Sequence, residues 1–259
     1  MKQNFNEEKL HQLKLLCIEH NKDSMIYPLE PMKGNPAHRN DSIYLPVKAG
    51  GKIIREGNRR FSNQQYKRLD HFDVENKSVI DFGCNVGYIT LECKRKGASY
   101  CLGVESAKTD LIRIANLCKE IDNLQNVDFV LNDVNAKQTF NYGWDGEIPS
   151  FVKEKLPFDV GLLLSPFSIT PEFGGLLSYQ DCIPQLRLIK DYAKVWYIEP
   201  TLSIPAENIP YITWAGGKKK VMNKEAIRDW GLENLKEFGK VEFLGFTDYQ
   251  DRSIFKVMT

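Results

Sequence analysis

Ser78-Val-Ile-Asp-Phe-Gly-Cys-Asn-Val-Gly-Tyr-Ile-Thr90 is the stretch of sequence that decides the fold. It begins with an apolar run that is typical of a short buried strand. Gly83 and Gly87 follow, and glycine lets the backbone turn sharply and come close to a ligand. The residues after Gly87 have the spacing of a helix. A strand, a glycine turn and a helix in this order build a nucleoside-binding crevice at the carboxyl edge of a parallel sheet.

Strands and helices alternate along the chain around this stretch. Apolar runs predict strands at 78–82, 100–105, 127–131, 158–164, 195–199, 241–246 and 253–258. Helical spacing predicts helices at 1–24, 61–72, 86–96, 107–121, 176–193 and 223–237. Alternation implies parallel strands with helical crossovers, and the polar turn between the last two strands indicates a hairpin. We therefore expect an α/β fold with a doubly wound, seven-stranded, mostly parallel sheet, helices on both faces, one antiparallel strand and an N-terminal extension.

The composition limits the class of protein. The chain has 259 residues, 42% of them hydrophobic, and a formal net charge of +1, which is lower than a dedicated nucleic-acid binder usually carries. The six cysteines form no Cys-x-x-Cys pair and have no histidine at metal-ligand spacing, so we expect buried thiols and no metal site. The sequence shows no signal peptide and no membrane-spanning run, which predicts a cytoplasmic protein that does not bind membranes.

The glycine turn does not match a dinucleotide fingerprint. That fingerprint needs glycine at positions 83, 85 and 88, but Asn85 and Tyr88 occupy two of them. The spacing fits a G-x-G-x-G loop with Asn85 in the middle place, where Asn tolerates a left-handed backbone. Asp81-Phe-Gly-Cys-Asn-Val-Gly87 resembles the first motif of the class I S-adenosylmethionine-dependent methyltransferases. The resemblance covers roughly residues 76–200 and implies their seven-stranded fold and S-adenosylmethionine as cofactor, but it names no methyl acceptor.

Further polar residues follow the predicted strands in the order that this family shows. A carboxylate at Glu105 can accept hydrogen bonds from both ribose hydroxyls. By resemblance, Asp133 binds the adenine amino group, Val134 supplies a backbone amide and an apolar contact, and Ser165 lines the pocket beside the methyl group. Asp81 would approach the loop amides and the amino-acid end of the cofactor. The predicted cofactor contacts are Asp81, Gly83, Asn85, Gly87, Tyr88, Glu105, Ser106, Asp133, Val134 and Ser165.

Two of these contacts have a second interpretation. Tyr88 either touches the cofactor or covers the sheet, and Ser106 can also cap the helix that follows it. The composition of residues 25–60, rich in proline, glycine, asparagine and basic residues, predicts a helical and loop extension or lid at 1–72. The resemblance implies an S-adenosylmethionine-binding methyltransferase domain at 73–259, in which residues 200–222 are expected to be an insertion on the acceptor side.

The catalytic group is less clearly marked, because methyl transfer from a sulfonium depends mainly on orientation. A hydroxyl acceptor generally also needs a base, whereas a neutral amine needs only desolvation. Glu199, at the end of the fifth strand, is a candidate base or substrate contact, or else a solvated strand end. His38 is a candidate base if the proline-rich extension folds over the site, and otherwise an ordinary surface histidine.

Basic residues near the predicted crevice suggest that the methyl acceptor is anionic. Arg59 and Arg60 belong to a basic stretch at 45–70, and Lys218 lies in a lysine run within the insertion. They are either solvated or form a clamp for phosphate or carboxylate. We expect methylation of a small anionic acceptor, such as a phosphorylated or nucleotide-linked sugar or a carboxylated metabolite, with O-methylation favoured over N-methylation. The alternatives are an RNA (tRNA) methyltransferase and a non-catalytic cofactor-binding partner in a methyltransferase complex; the oligomeric state stays open.

Overall fold

A seven-stranded sheet forms the centre of the structure, which is a computed structural model. The structure describes residues 2–25, 43, 45–57, 68–105, 109–131, 148–164, 186–200, 211–214, 217–220, 224–247 and 252–259. The sheet strands are β3 (Ser78–Phe82), β4 (Tyr100–Glu105), β5 (Val127–Leu131), β6 (Phe158–Leu164), β7 (Ala193–Glu199), β10 (Lys240–Phe246) and β11 (Ser253–Met258). Two hairpins lie outside it: β1 (Val47–Ala49) with β2 (Lys52–Arg55), and β8 (Tyr211–Trp214) with β9 (Gly217–Lys220).

Helices connect most of these strands. They are α1 (Lys2–Met25), α2 (Tyr88–Arg95), α3 (Thr109–Ile121), α4 (Ser150–Lys153) and α5 (Lys224–Asn234), with 3-10 turns at Lys190–Tyr192 and Leu235–Phe238. In the part of the chain that the structure describes, no helix has both the length and the apolar character needed to cross a membrane.

The strand order is β5-β4-β3-β6-β7-β11-β10. Strands β3 to β7 pair in parallel, and β11 runs antiparallel to both β7 and β10. The sheet grows in one direction from β3 to β5 and in the other from β6 onward, so the order reverses between β3 and β6. Ligands of open α/β sheets bind at such a switch point, outside the carboxyl ends of the strands. The fold class predicted from the sequence is therefore confirmed.

Most predicted elements match the structure, and the differences have local causes. The predicted helix 176–193 ends too late, because the described part closes in the 3-10 turn Lys190–Tyr192 and β7 already begins at Ala193. Ala193 and Lys194 lack the apolar pattern of the strand, but their backbone belongs to it, since Ala193 pairs with Phe158 of β6. The short helix α4 and the hairpins β1–β2 and β8–β9 were not predicted.

The N-terminal extension packs against the domain. In α1 the side chains of Leu13, Leu16 and Cys17 are at most 5% exposed and belong to the core cluster on one face of the sheet, together with Val47 and Ala49 of β1. Packing of an apolar helix face is what stabilises such a helix, more than its intrinsic propensity. Residues 26–42 and 58–67 of the predicted lid, including most of the predicted helix 61–72, lie outside the described residues.

Polar contacts join the same extension to helices α2 and α3. Lys48 Nζ lies 2.9 Å from Glu92 Oε1 of α2, and the backbone N–H of Gly50 donates to Asp122 Oδ1, just after α3, at 2.5 Å. The hairpin β1–β2 is therefore held beside the helix that follows the glycine turn.

Five cysteines lie within the described residues, and all are buried free thiols: Cys17, Cys84, Cys93, Cys101 and Cys118. Burial raises the pKa of the Cys17 thiol to about 11. A thiol with a raised pKa stays protonated and unreactive at neutral pH. The prediction of buried structural cysteines holds for these five, while Cys182 lies outside the described residues.

Candidate active site

The glycine turn between β3 and α2 has a left-handed backbone at three positions. Gly83, Asn85 and Gly87 have φ angles of 77°, 53° and 73°. The left-handed conformation predicted for Asn85 is therefore present. The N–H groups of Gly83 and Cys84 both donate to the carbonyl oxygen of Val104, at 2.8 and 3.1 Å. These bonds fix the turn against the carboxyl end of β4, beside the switch point of the sheet.

The two glycines of this turn serve different purposes. A Cβ on Gly87 would come within 2.6 Å of the ring of Phe129 and 2.9 Å of the Cβ of Ala115, so this position is closed by packing. Apart from Gly83 itself and its two chain neighbours, no heavy atom of the described residues lies within 4 Å of a Cβ built there. Among the described residues, nothing therefore blocks a ligand from approaching the backbone at Gly83.

Glu105 ends β4 and lies against the turn. Glu105 is only 7% exposed, and its Oε2 accepts a hydrogen bond from the backbone N–H of Asn85 at 2.7 Å. The Oδ1 of Asn85 in turn accepts from the N–H of Leu45, in the N-terminal extension, at 3.5 Å. The carboxylate expected to bind ribose is therefore at the predicted strand end, and the extension reaches the same turn.

Asp81 lies inside β3, directly below the turn. It is 3% exposed, and Thr90 Oγ1 of α2 donates to its Oδ2 at 2.6 Å. Burial raises the pKa of Asp81 to about 7; the hydrogen bond from Thr90 opposes this shift and the negative charge of Glu105 adds to it. The charge of this carboxyl group therefore changes near neutral pH.

Tyr88 is 2% exposed and belongs to the same core cluster as α1. The side chain therefore covers the sheet, as one of the two interpretations expected, and its contact with a cofactor stays a prediction.

Glu199 lies at the carboxyl edge of the sheet, two strands away from β3. It ends β7 beside Leu164 of β6 and is completely buried. Arg68 Nη2 donates to its Oε1 at 2.9 Å, and Arg68 Nε lies 2.7 Å from its Oε2. Arg252 Nη1 donates to Oε1 at 3.3 Å. Since both carboxylate oxygens contact guanidinium groups, this geometry favours a positioning role over proton transfer, and Glu199 is not a solvated strand end.

The structure does not describe the side chains of the remaining predicted site residues. His38, Arg59, Arg60, Ser106, Asp133, Val134 and Ser165 lie outside the described residues. Lys218 lies in β9, where its backbone pairs with Thr213. Within the described ranges, no group of three or more His, Cys, Asp and Glu residues is arranged to hold a metal ion.

Sequence reasoning missed three polar side chains that shape the site. Thr90 lies in the first turn of the helix after the glycine turn, and a hydroxyl at that place was a usable signal. Arg68 was visible only as one member of a basic stretch. Arg252 lies in the polar turn before the last strand, and its partner Glu199 is distant in sequence, so no local pattern joins the two residues.

The comparisons with solved structures agree with the fold. No family model and no curated protein matches the chain. Among solved structures, EvdMO1 has a TM-score of 0.52 at 13% identity, covering 83% of this chain and 44% of that one. The N-terminal domain of EvdMO1, crystallised in the presence of SAH (S-adenosylhomocysteine) and D-fucose, has a TM-score of 0.50 at 13% identity and covers 83% and 90% of the two chains.

The fold is that of the class I methyltransferases. A third similar structure is PH1948 from Pyrococcus horikoshii, described as a candidate RNA methyltransferase, with a TM-score of 0.45 and 13% identity over 96% of this chain and 98% of that one.

Proposed function

We propose that this protein transfers a methyl group from S-adenosylmethionine to a small acceptor at the carboxyl edge of the sheet. The observation that carries the proposal is the left-handed turn from Gly83 to Gly87, held against β4 and flanked by the buried carboxyl groups of Asp81 and Glu105. Two acids beside a glycine turn suit a ligand that carries ribose hydroxyls and a cationic amino group.

The residues present fit this cofactor. No described residue beyond its chain neighbours closes the space beside Gly83, so the methionine end of a ligand can lie against the turn. A carboxylate offers about four acceptor positions, and the Asn85 amide uses one of those on Glu105. Asp81 would lie near the amino-acid end. Asp133, Val134 and Ser165 remain the proposed contacts for adenine and the methyl-bearing end.

The chain's own residues would bind, orient and shield the reactants. When bound, S-adenosylmethionine supplies the electrophilic methyl group. The turn and Glu105 would fix one reactant, and the crevice half at β6 and β7 would fix the other. Alignment of two reactants can account for about 7–11 kcal/mol of a barrier. His38 remains the candidate base for a hydroxyl acceptor, since Glu199 is committed to Arg68 and Arg252.

For the acceptor we propose a small anionic molecule, such as a phosphorylated or nucleotide-linked sugar or a carboxylated metabolite. We favour methylation of an oxygen atom over methylation of a nitrogen atom. The net charge of +1 supports a small acceptor over a long nucleic acid. The N-terminal domain of EvdMO1 was crystallised in the presence of a sugar, D-fucose, so sugars are the first acceptors to test. Arg59, Arg60 and Lys218 are the proposed contacts for the anionic group.

Two measurements test this proposal in order. Thermal unfolding with millimolar S-adenosylhomocysteine should show a higher Tm, because a ligand that binds only the folded state stabilises it. The protein should then transfer label from methyl-labelled S-adenosylmethionine to a small-metabolite fraction of a cell extract. An unchanged Tm contradicts the cofactor assignment, label found only in RNA contradicts the acceptor class, and cofactor binding without any labelled product indicates the non-catalytic alternative.

A further inference from the structure

The cluster formed by Arg68, Glu199 and Arg252 lies at the carboxyl edge of the sheet, on the acceptor side. Glu199 pairs in register with Leu164 at the end of β6. Strand β11 runs antiparallel to β7, with Phe255 opposite Ile198, so the residue that precedes β11 meets the end of β7. Arg252 is therefore at the same edge as the glycine turn but three strands away from β3 in the sheet order.

The two arginines of the cluster lie at different depths below the surface. Glu199 points to the face of the sheet that carries Tyr197, because side chains two residues apart on a strand share a face. On that face Phe72 contacts Tyr197 with ring centroids 5.0 Å apart. Arg68 precedes Phe72 by four residues in the chain. Arg68 is thus the inner partner, 2% exposed, whereas the side chain of Arg252 is 11% exposed and lies nearer to solvent.

The cluster is weak evidence of a stabilising role, because replacing a buried ion pair with apolar residues of similar volume is often neutral or stabilising. Among the described contacts, Arg68 meets both oxygens of Glu199, and Arg252 meets Oε1 at the longer distance of 3.3 Å. An arginine held by a carboxylate presents a rigid, planar set of donors, which suits phosphate and carboxylate groups.

We propose that Arg252 binds the anionic group of the methyl acceptor, with Glu199 and Arg68 as positioning residues that hold its guanidinium at the crevice. This inference rests on the proposed function and extends it, since it assigns the acceptor contact to the start of β11 in addition to the basic segments at 45–70 and 200–222. The ligand chemistry is an oxyanion, either a phosphate or a carboxylate.

The test uses the full chain and two probes, inorganic phosphate and malonate, titrated by calorimetry into protein saturated with S-adenosylhomocysteine. Arg252→Met should weaken binding of the preferred probe by at least about ten-fold, as expected for losing a charged hydrogen bond. Arg252→Lys should restore part of it, because the charge remains. Glu199→Gln should also weaken it while the affinity for S-adenosylhomocysteine changes by less than about two-fold. The probe that binds more tightly identifies the acceptor group.

Arg187→Met is the matched control, because Arg187 also pairs with a glutamate, Glu237, at 2.8 and 3.0 Å, but its side chain is 58% exposed. It should leave probe binding unchanged. Equal affinity in the parent and Arg252→Met, or no binding of either probe to the parent, overturns the proposal. If Arg252→Met does not fold, Arg252→Gln takes its place. If S-adenosylhomocysteine does not bind the parent protein, the proposed function is contradicted. The proposal for Arg252 can still be tested in that case, by titrating the two probes without S-adenosylhomocysteine.

Discussion

Asp81 is a buried carboxyl group whose charge depends on pH near neutrality. Its pKa rises from an ordinary value of 3.8 to about 7 in the folded protein, mainly because of burial. Between these two values the folded state holds a proton that the unfolded state has lost. The stability contributed by this group is therefore fully present below about pH 4 and is lost as the pH rises to about 7.

Asp81→Asn should remove this pH dependence. Asn keeps an oxygen that accepts the hydrogen bond from Thr90, but it carries no charge to bury. We expect a gain of about 2–4 kcal/mol in the free energy of unfolding at pH 8 and little change at pH 4. Urea unfolding at both pH values measures this. The exposed Asp229→Asn serves as control, and an equal effect of Asp81→Asn at pH 4 and pH 8 would contradict the pKa assignment.

Glu105 connects the turn to the proposed ribose site, because its Oε2 already binds the amide of Asn85. Glu105→Ala should weaken S-adenosylhomocysteine binding by about 1–3 kcal/mol, the range for a lost charged hydrogen bond. Calorimetric titration measures the change, and Glu120→Ala, at an exposed position on α3, is the control. Unchanged affinity in Glu105→Ala would exclude the residue from the ribose site.

At the scale of the element, the glycine turn has one position closed by packing and one position open to a ligand. Gly87→Ala should cost about 2–4 kcal/mol of stability, since its Cβ would meet Phe129 and Ala115 and its φ is positive. Gly83→Ala should cost only the backbone strain, about 1–2 kcal/mol, but should abolish S-adenosylhomocysteine binding. Denaturant unfolding and calorimetry of both variants separate the two effects. A Gly83→Ala variant that binds normally would show that the ligand does not approach this turn.

Strands and helices could be predicted where a local sequence pattern determines their bounds. The bounds of β3, β4, β5 and β6 agree with the sequence prediction, because each is an apolar run between polar turns. The β8–β9 hairpin was missed because its second strand, Gly217–Lys220, is almost entirely lysine and lacks the alternation that marks a strand. The pair formed by Arg68 and Glu199 was missed for a different reason. Its members are brought together only by the fold, so no local pattern could join them.

At the scale of the whole molecule, the N-terminal extension and the sheet share one core. The apolar spacing of residues 1–24 predicts helix α1, but no local pattern shows what its apolar face packs against. The structure packs it on the helix α3 side of the sheet, with Leu13 fully buried in the cluster that also contains Val79 of β3. Contacts of α1 with the domain include this cluster, the ion pair between Lys9 and Glu120, and His20 Nδ1, which lies 3.9 Å from Asp110 Oδ2. A segment buried in this way should unfold together with the domain rather than as a separate lid.

Leu13→Ala tests this coupling. It should lower the free energy of unfolding of the whole protein by about 2–5 kcal/mol, as for other buried leucines, whereas Leu15→Ala, two residues along the same helix and 44% exposed, should change it by less than about 0.5 kcal/mol. The four tryptophans all lie beyond residue 72, so their fluorescence reports only on the domain, while far-UV circular dichroism also reports on α1. If the extension is part of one cooperative unit, Leu13→Ala shifts both signals to the same lower urea midpoint. A shift confined to the circular dichroism signal would instead show that the extension unfolds on its own, as a lid must be able to do.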